Sequence, residues 1–200
     1  MPPKPKFTKE QIVSTALKLV SENGVNALTA RELGNALCSS ARPIFTVFSG
    51  MDEVRSAVIA AAEKKFSEYA EKTSAYPLRF KSAGMQMLLF AKGEPKLFQL
   101  LFMQENSGVK SFDDLFTSLG DFANECIDYI INDYGIEQSN AKLVFENLWI
   151  YTFGLGSLCA TGACDFSESE LSEMLGTEFA AMMALIKKDL PPLAEKRRVL

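Results

Sequence analysis

Five residues in one short run, Ser40, Ala41, Arg42, Pro43 and Thr46, have the types and spacing to read DNA. Short or hydrogen-bonding side chains at the start of a helix let it approach base edges in the major groove. Arg42 is the one among them able to make a bidentate contact to guanine, worth about 1–3 kcal/mol of discrimination. A solvated or phosphate-bound arginine fits the same residue, so both roles stand open. Thr29 and Ser40 sit where helices would begin, and there they either turn backbone N–H groups toward phosphates or only cap. Lys4 and Lys6 lie on the arm Met1-Pro-Pro-Lys-Pro-Lys6, which suits a phosphate backbone or a minor groove. A disordered leader fits that arm equally well. It carries no apolar run after its charges, so it is not a secretory signal.

Other chemistry is excluded by composition. The 200 residues include no histidine, which removes His-based acid/base work, Ser-His and Cys-His pairs and imidazole metal sites. Cys38, Cys126, Cys159 and Cys164 are scattered without a CxxC pair and read as free buried thiols in a reducing cytoplasm. Cys159 and Cys164 lie about 140° apart around a regular helix, so they share no face. Glu168, Glu170 and Glu173 read as a favourable helix start, not a metal cage. Gly154-Leu155-Gly156-Ser157 would need a third glycine where Cys159 stands, and no strand precedes it. With no P-loop and no GxSxG elbow, the expectation is a protein that is not an enzyme and uses no cofactor or metal.

The elements that must position the DNA-facing run are helical. Thr8 followed by Gln11 predicts a capping box, with Ile12, Ala16, Leu17 and Val20 recurring behind it and Asn23-Gly24 as the stop. Thr29 followed by Glu32 predicts a second box and a short helix with Leu33, Ala36 and Leu37 inward. A third helix follows the break Cys38-Ser39-Ser40, with Ile44, Val47 and Phe48 packing beneath it. Pro43 is then its third residue, whose missing N–H costs little. Asp52 is expected to cap a fourth helix running to about Thr73. Three short helices, the last two joined by a tight break, form a helix-turn-helix layout.

Downstream, helices are expected near 78–92, 95–106, 111–134, 137–163 and 168–190, with breaks at Tyr76-Pro77, Gly93-Glu94-Pro95, Asn106-Ser107-Gly108, Tyr134-Gly135 and Asp165 to Ser169. The fold class is all-α, divided into a DNA-binding domain at 1–52 and a regulatory domain at 53–200. Net charge supports that division: residues 1–66 carry +3 and residues 67–200 carry −7, within a total of −4. The second part holds eleven Phe and six Met, enough large and pliable side chains for an adaptable apolar pocket or an ordinary core. Met87, Phe90, Phe102, Phe116, Trp149 and Phe153 are the candidate ligand contacts. The helix at 137–163 is apolar nearly all round. It reads as a core or interface helix and not a membrane span. The last helix matches its spacing, and the two together suit a dimeric four-helix bundle.

Residues Ile12 to Val54 resemble the DNA-binding domain of the TetR/AcrR family of bacterial transcriptional regulators. The residues that carry the likeness are Ala16-Leu17, Gly24, Leu28-Thr29, Leu37-Cys38-Ser39-Ser40, Ile44-Phe45, Phe48 and Gly50-Met51-Asp52-Glu53-Val54. The resemblance adds Ser39 and Phe45 to the candidate DNA surface. Cys38 stands where the family has a turn glycine, Phe45 where it has a phosphate-touching tyrosine, and Met51 where it has a lysine. Residues Phe90 to Phe102 and Trp149 to Leu158 are similar to the regulatory domain of one subgroup, with Phe153 in place of the usual histidine. The resemblance implies a cytoplasmic homodimer joined through its last two helices, binding a double-stranded palindromic operator as a repressor. A small hydrophobic or amphipathic effector in the regulatory domain would release it. The competing expectation is a small-molecule carrier of the same fold that has lost DNA binding.

Overall fold

Thr8 opens the first helix as its spacing to Gln11 predicts: its hydroxyl accepts from the Gln11 N–H at 3.2 Å, and the Gln11 side chain accepts from the Thr8 N–H at 2.9 Å. The resulting helix, α1, spans Lys9–Asn23 and buries Ile12, Ala16 and Val20. It stops at Gly24, whose φ of +82° suits a residue without a Cβ. A computed structural model describes residues 5–105 and 111–187. Within them the chain is all-α, with no strand. The expectations on Lys4, on Asn106-Ser107-Gly108 and on helix beyond residue 187 lie outside the described residues.

The helices that follow are α2 (Ala30–Ala36), α3 (Met51–Lys72), α4 (Arg79–Gly93), α5 (Pro95–Phe102), α6 (Phe112–Ser118), α7 (Asp121–Tyr134), α8 (Gln138–Ala160) and α9 (Glu168–Lys187). Several differ from the sequence expectation for identifiable reasons. Thr29 caps α2 by accepting from the Glu32 N–H at 3.1 Å, without the reciprocal bond of a full box. Leu33 is buried there, but Ala36 is exposed. Ser49 and Glu53, not Asp52, close the start of α3: a Glu53 carboxylate oxygen accepts from the Ser49 N–H at 2.8 Å and from its hydroxyl at 3.0 Å. Asp52 already lies inside the first turn. The helix expected at 111–134 is two helices, because Gly120 takes φ +55° between them. The helix from Pro95 ends at Phe102, where the Gln104 side chain donates to the Gln99 carbonyl at 2.9 Å.

The largest departure is the expected third helix. Residues 40–48 contain only a 3₁₀ helix, Ile44–Thr46. A full α-helix from Ser40 would need Arg42 in the α region, which a following proline ring disfavours. The Ile44 N–H accordingly reaches Ala41 O at 3.1 Å, three residues back. The expected packing survives, since Ile44 and Phe48 are buried.

The chain divides into two compact units. The first takes α1 to α3 with residues 89–105 and 157–164; the second takes 73–88, 111–156 and 165–187 of the described chain. In the first, Glu94 accepts from the Ser21 hydroxyl at 2.9 Å and pairs with Lys65 at 2.6 Å, tying α1 and α3 to the residue that precedes α5. Phe66 packs edge-on against Phe90 and Phe102. A Cβ on Gly93 would collide with the Tyr69 hydroxyl, so the two chain segments approach to glycine distance. In the second unit Cys126, Ile130, Val144, Phe145 and Leu148 form the centre of the core. Among the described residues one helix, α8, is long and apolar enough to cross a membrane, a property that core helices share.

Candidate functional site

The N-terminal surface is built on a turn after α2. Cys38 takes φ +50°, the only non-glycine residue with positive φ among those described. It is exposed, and Cys159 and Cys164 are half-buried, so of the four thiols expected to be buried Cys126 alone is. The left-handed turn at Cys38 brings the Ser39 N–H to Gly34 O at 2.9 Å. A Cβ on Gly34 would lie 3.0 Å from Ala41 N and from the Ser40 carbonyl carbon, so the chain after the turn rests directly on α2. With Ile44 and Phe48 anchored inward, Ser40, Arg42, Phe45 and Thr46 face solvent, and Ser39, Ala41 and Pro43 are half-buried. Phe45 is 46% exposed, a large ring with no core role. Thr46 turns its hydroxyl back to Pro43 O at 2.6 Å, and Lys6 donates to the Ser39 hydroxyl at 3.0 Å. Thr29 is exposed at the start of α2. No carboxylate among the described residues pairs with Arg42.

Beside this surface, Glu53 bonds Lys9 at 3.2 Å while capping Ser49. The Ser49 backbone bond, then the Ser49 and Lys9 side chains, hold its carboxyl below the usual carboxylate range. Met51, where the resemblance expects a lysine, is half-buried.

The second unit holds a cavity of about 220 Å³ between α4, α7, α8 and α9. An apolar cavity of about 150 Å³ takes benzene, so this one has room for roughly one or two rings or a short alkyl chain. Two mid-helix glycines shape it. A Cβ on Gly84 would sit 3.1 Å from Leu175 Cδ1, and one on Gly176 would sit 3.9 Å from Lys81 Nζ. The walls are otherwise rings and aliphatic groups, among them Phe80, Phe145 and Phe179. Leu78 and Phe122 edge the cavity and are 36% and 42% exposed, so it opens to solvent on their side.

Few polar groups line it. Thr152 is 5% exposed, and no described residue hydrogen-bonds its hydroxyl. Burial, then the charge of Glu125, pushes the Cys126 thiol up to about 12, which keeps it protonated and unreactive. Burial, then Asp133, raises the Tyr134 hydroxyl. Among the described residues Lys81 supplies the one cation in the lining.

Of the ligand contacts expected from sequence, Met87 and Trp149 line this cavity. Phe116 stands behind it, edge-on to Phe145 and Trp149, and Phe153 stacks on Trp149 at 5.4 Å. Phe90 and Phe102 belong to the aromatic cluster of the first unit. Sequence reasoning passed over Lys81, Thr152, Gly84 and Gly176. The two glycines carried a usable signal, since each interrupts a helical pattern without any turn residue beside it. Compared with known proteins, the chain matches no family model and no curated protein.

Proposed function

We propose that this protein is a ligand-responsive transcriptional regulator of the TetR/AcrR kind, most simply a repressor acting as a cytoplasmic homodimer. The observation that carries the reading is the turn at Cys38. Its left-handed backbone falls where the resemblance puts a glycine, and the turn leaves Arg42, Phe45 and Thr46 outward over buried Ile44 and Phe48. A helix-turn-helix reader needs that arrangement: fixed anchors beneath and short or hydrogen-bonding groups above. In this reading Arg42 takes a base edge, while Ser39, Ser40 and Lys6 serve the phosphate backbone. Phe45 keeps contact area but has no hydroxyl to donate, so the phosphate anchoring is light.

The dimer is proposed to form through α8 and α9. In the second unit Asn147, Ile150 and Gly154 on α8 are exposed one helical turn apart, as are Thr177, Ala181, Ala184 and Leu185 on α9. Small and aliphatic residues on two exposed helix faces suit self-association at close approach. A ligand in the cavity would change the separation of the two recognition segments, which must match half-sites about 34–36 Å apart. A modest shift is then enough to release DNA.

One observation favours a second reading, a small-molecule carrier. The expected recognition helix is reduced to a 3₁₀ segment, which offers less rigid surface to a groove. A gel shift with duplex from the gene's own upstream region separates the two. The regulator binds it in a salt-sensitive, sequence-dependent way; the carrier does not.

A further inference from the structure

We infer that the cavity of the second unit takes a small amphipathic anion, an alkyl or aromatic carboxylate, with its head group on Lys81 and its body against Trp149 and Phe179. The inference deepens the proposed function and rests on the cavity being the ligand site. Three observations carry it. Among the described residues no acidic side chain lines the cavity, and Lys81 is the one cation. No described carboxylate lies within ion-pairing distance of Lys81, whose ammonium has the Tyr76 ring at 5.6 Å for company. Lys81 is a half-buried residue whose ammonium stands beside apolar walls with no described counter-ion, so an anion that enters gains a charge-assisted partner.

The third observation concerns space. Gly176 leaves open the position where a side chain would rest against the Lys81 ammonium. Gly84, one helical turn along α4 from Lys81, faces the Thr152 hydroxyl at 3.9 Å from the place a Cβ would occupy. Thr152 is more than nine-tenths buried with no described partner, so it offers a second hydrogen bond to the same ligand. A cationic ligand would meet Lys81 and no compensating charge. A neutral one would leave the ammonium unpaired.

The chain contains a single tryptophan, Trp149, and it lines the cavity, so its emission reports occupancy directly. Full-length protein without DNA is titrated with octanoate, octanol and octylammonium. Octanoate is expected to bind about tenfold or more tighter than octanol, roughly the worth of one charge-assisted bond, and octylammonium weakest. Lys81→Gln should bring octanoate down to the octanol level while leaving octanol unchanged, and Lys81→Arg should restore the preference. Octanol equalling octanoate in the native protein, an unchanged ratio in Lys81→Gln, or no response to any probe overturns the inference. Since no DNA is present, carboxylate binding without operator binding would sink the regulator reading alone.

Discussion

Cys38 shows how one residue can hold a turn under strain. A left-handed backbone costs an L-residue with a Cβ roughly 1–2 kcal/mol, and Cys38 adopts it at φ +50° while exposed. Replacing it by glycine is expected to raise stability by about 0.5–1 kcal/mol, net of the chain entropy that glycine adds. Cys38→Val should lower it, because a β-branched residue tolerates positive φ least. Urea midpoints of the two variants check both signs. Cys126 works in the opposite sense. Its thiol is raised to about 12 when folded, so its contribution is complete below the ordinary thiol value and is lost as pH climbs toward 12. Between about pH 9 and 12 the urea midpoint should fall, and Cys126→Ala should flatten that fall relative to the native chain. At the proposed DNA surface, Arg42→Ala should relax sequence preference more than it weakens non-specific binding; the reverse would assign Arg42 to phosphate.

At the scale of elements, the two sides of Pro43 tell what the sequence discloses and what it hides. Periodicity located two of the three expected anchors: Ile44 and Phe48 face the core, while Val47 is half-buried. It did not disclose that the segment would be 3₁₀, because apolar spacing says nothing about whether the residue before a proline can enter the α region. Pro43→Ala should let residues 41–48 extend into an α-turn, read as stronger helical carbon chemical shifts there, and should tighten DNA binding. Unchanged shifts would mean that the turn at Cys38, not the proline, sets the geometry. Gly34 tests the other side of the motif: Gly34→Ala pushes a methyl to 3.0 Å from the Ala41 nitrogen, a backbone atom that cannot swing away. A loss of about 1–3 kcal/mol is expected, measured by urea unfolding. The candidate cavity was only partly legible for a similar reason. Aromatic content marked the region, and Met87 and Trp149 fell in the lining. Yet cavities are made by what is missing, and the absent side chains of Gly84 and Gly176 matter only once α4 and α9 are placed.

For the whole molecule, the acidic total of −4 averages two regions of opposite sign. That offset is consistent with a reader of polyanions and a sensor joined in one chain, which is the division of labour proposed above. The proposal also requires self-association. Leu185→Asp places a charge at a position 39% exposed on α9 and should shift sedimentation from dimer to monomer. DNA affinity should fall with it, since paired recognition segments are needed to span two half-sites. The central claim is that one protein both reads DNA and answers to a ligand. Fluorescence anisotropy of labelled upstream duplex, titrated with the full chain from about 50 to 200 mM salt with and without octanoate, tests it most directly. Sequence-dependent binding that weakens with salt and is released by octanoate is expected; binding to no duplex at the lowest salt, or binding that octanoate leaves untouched, would rule the ligand-responsive regulator out.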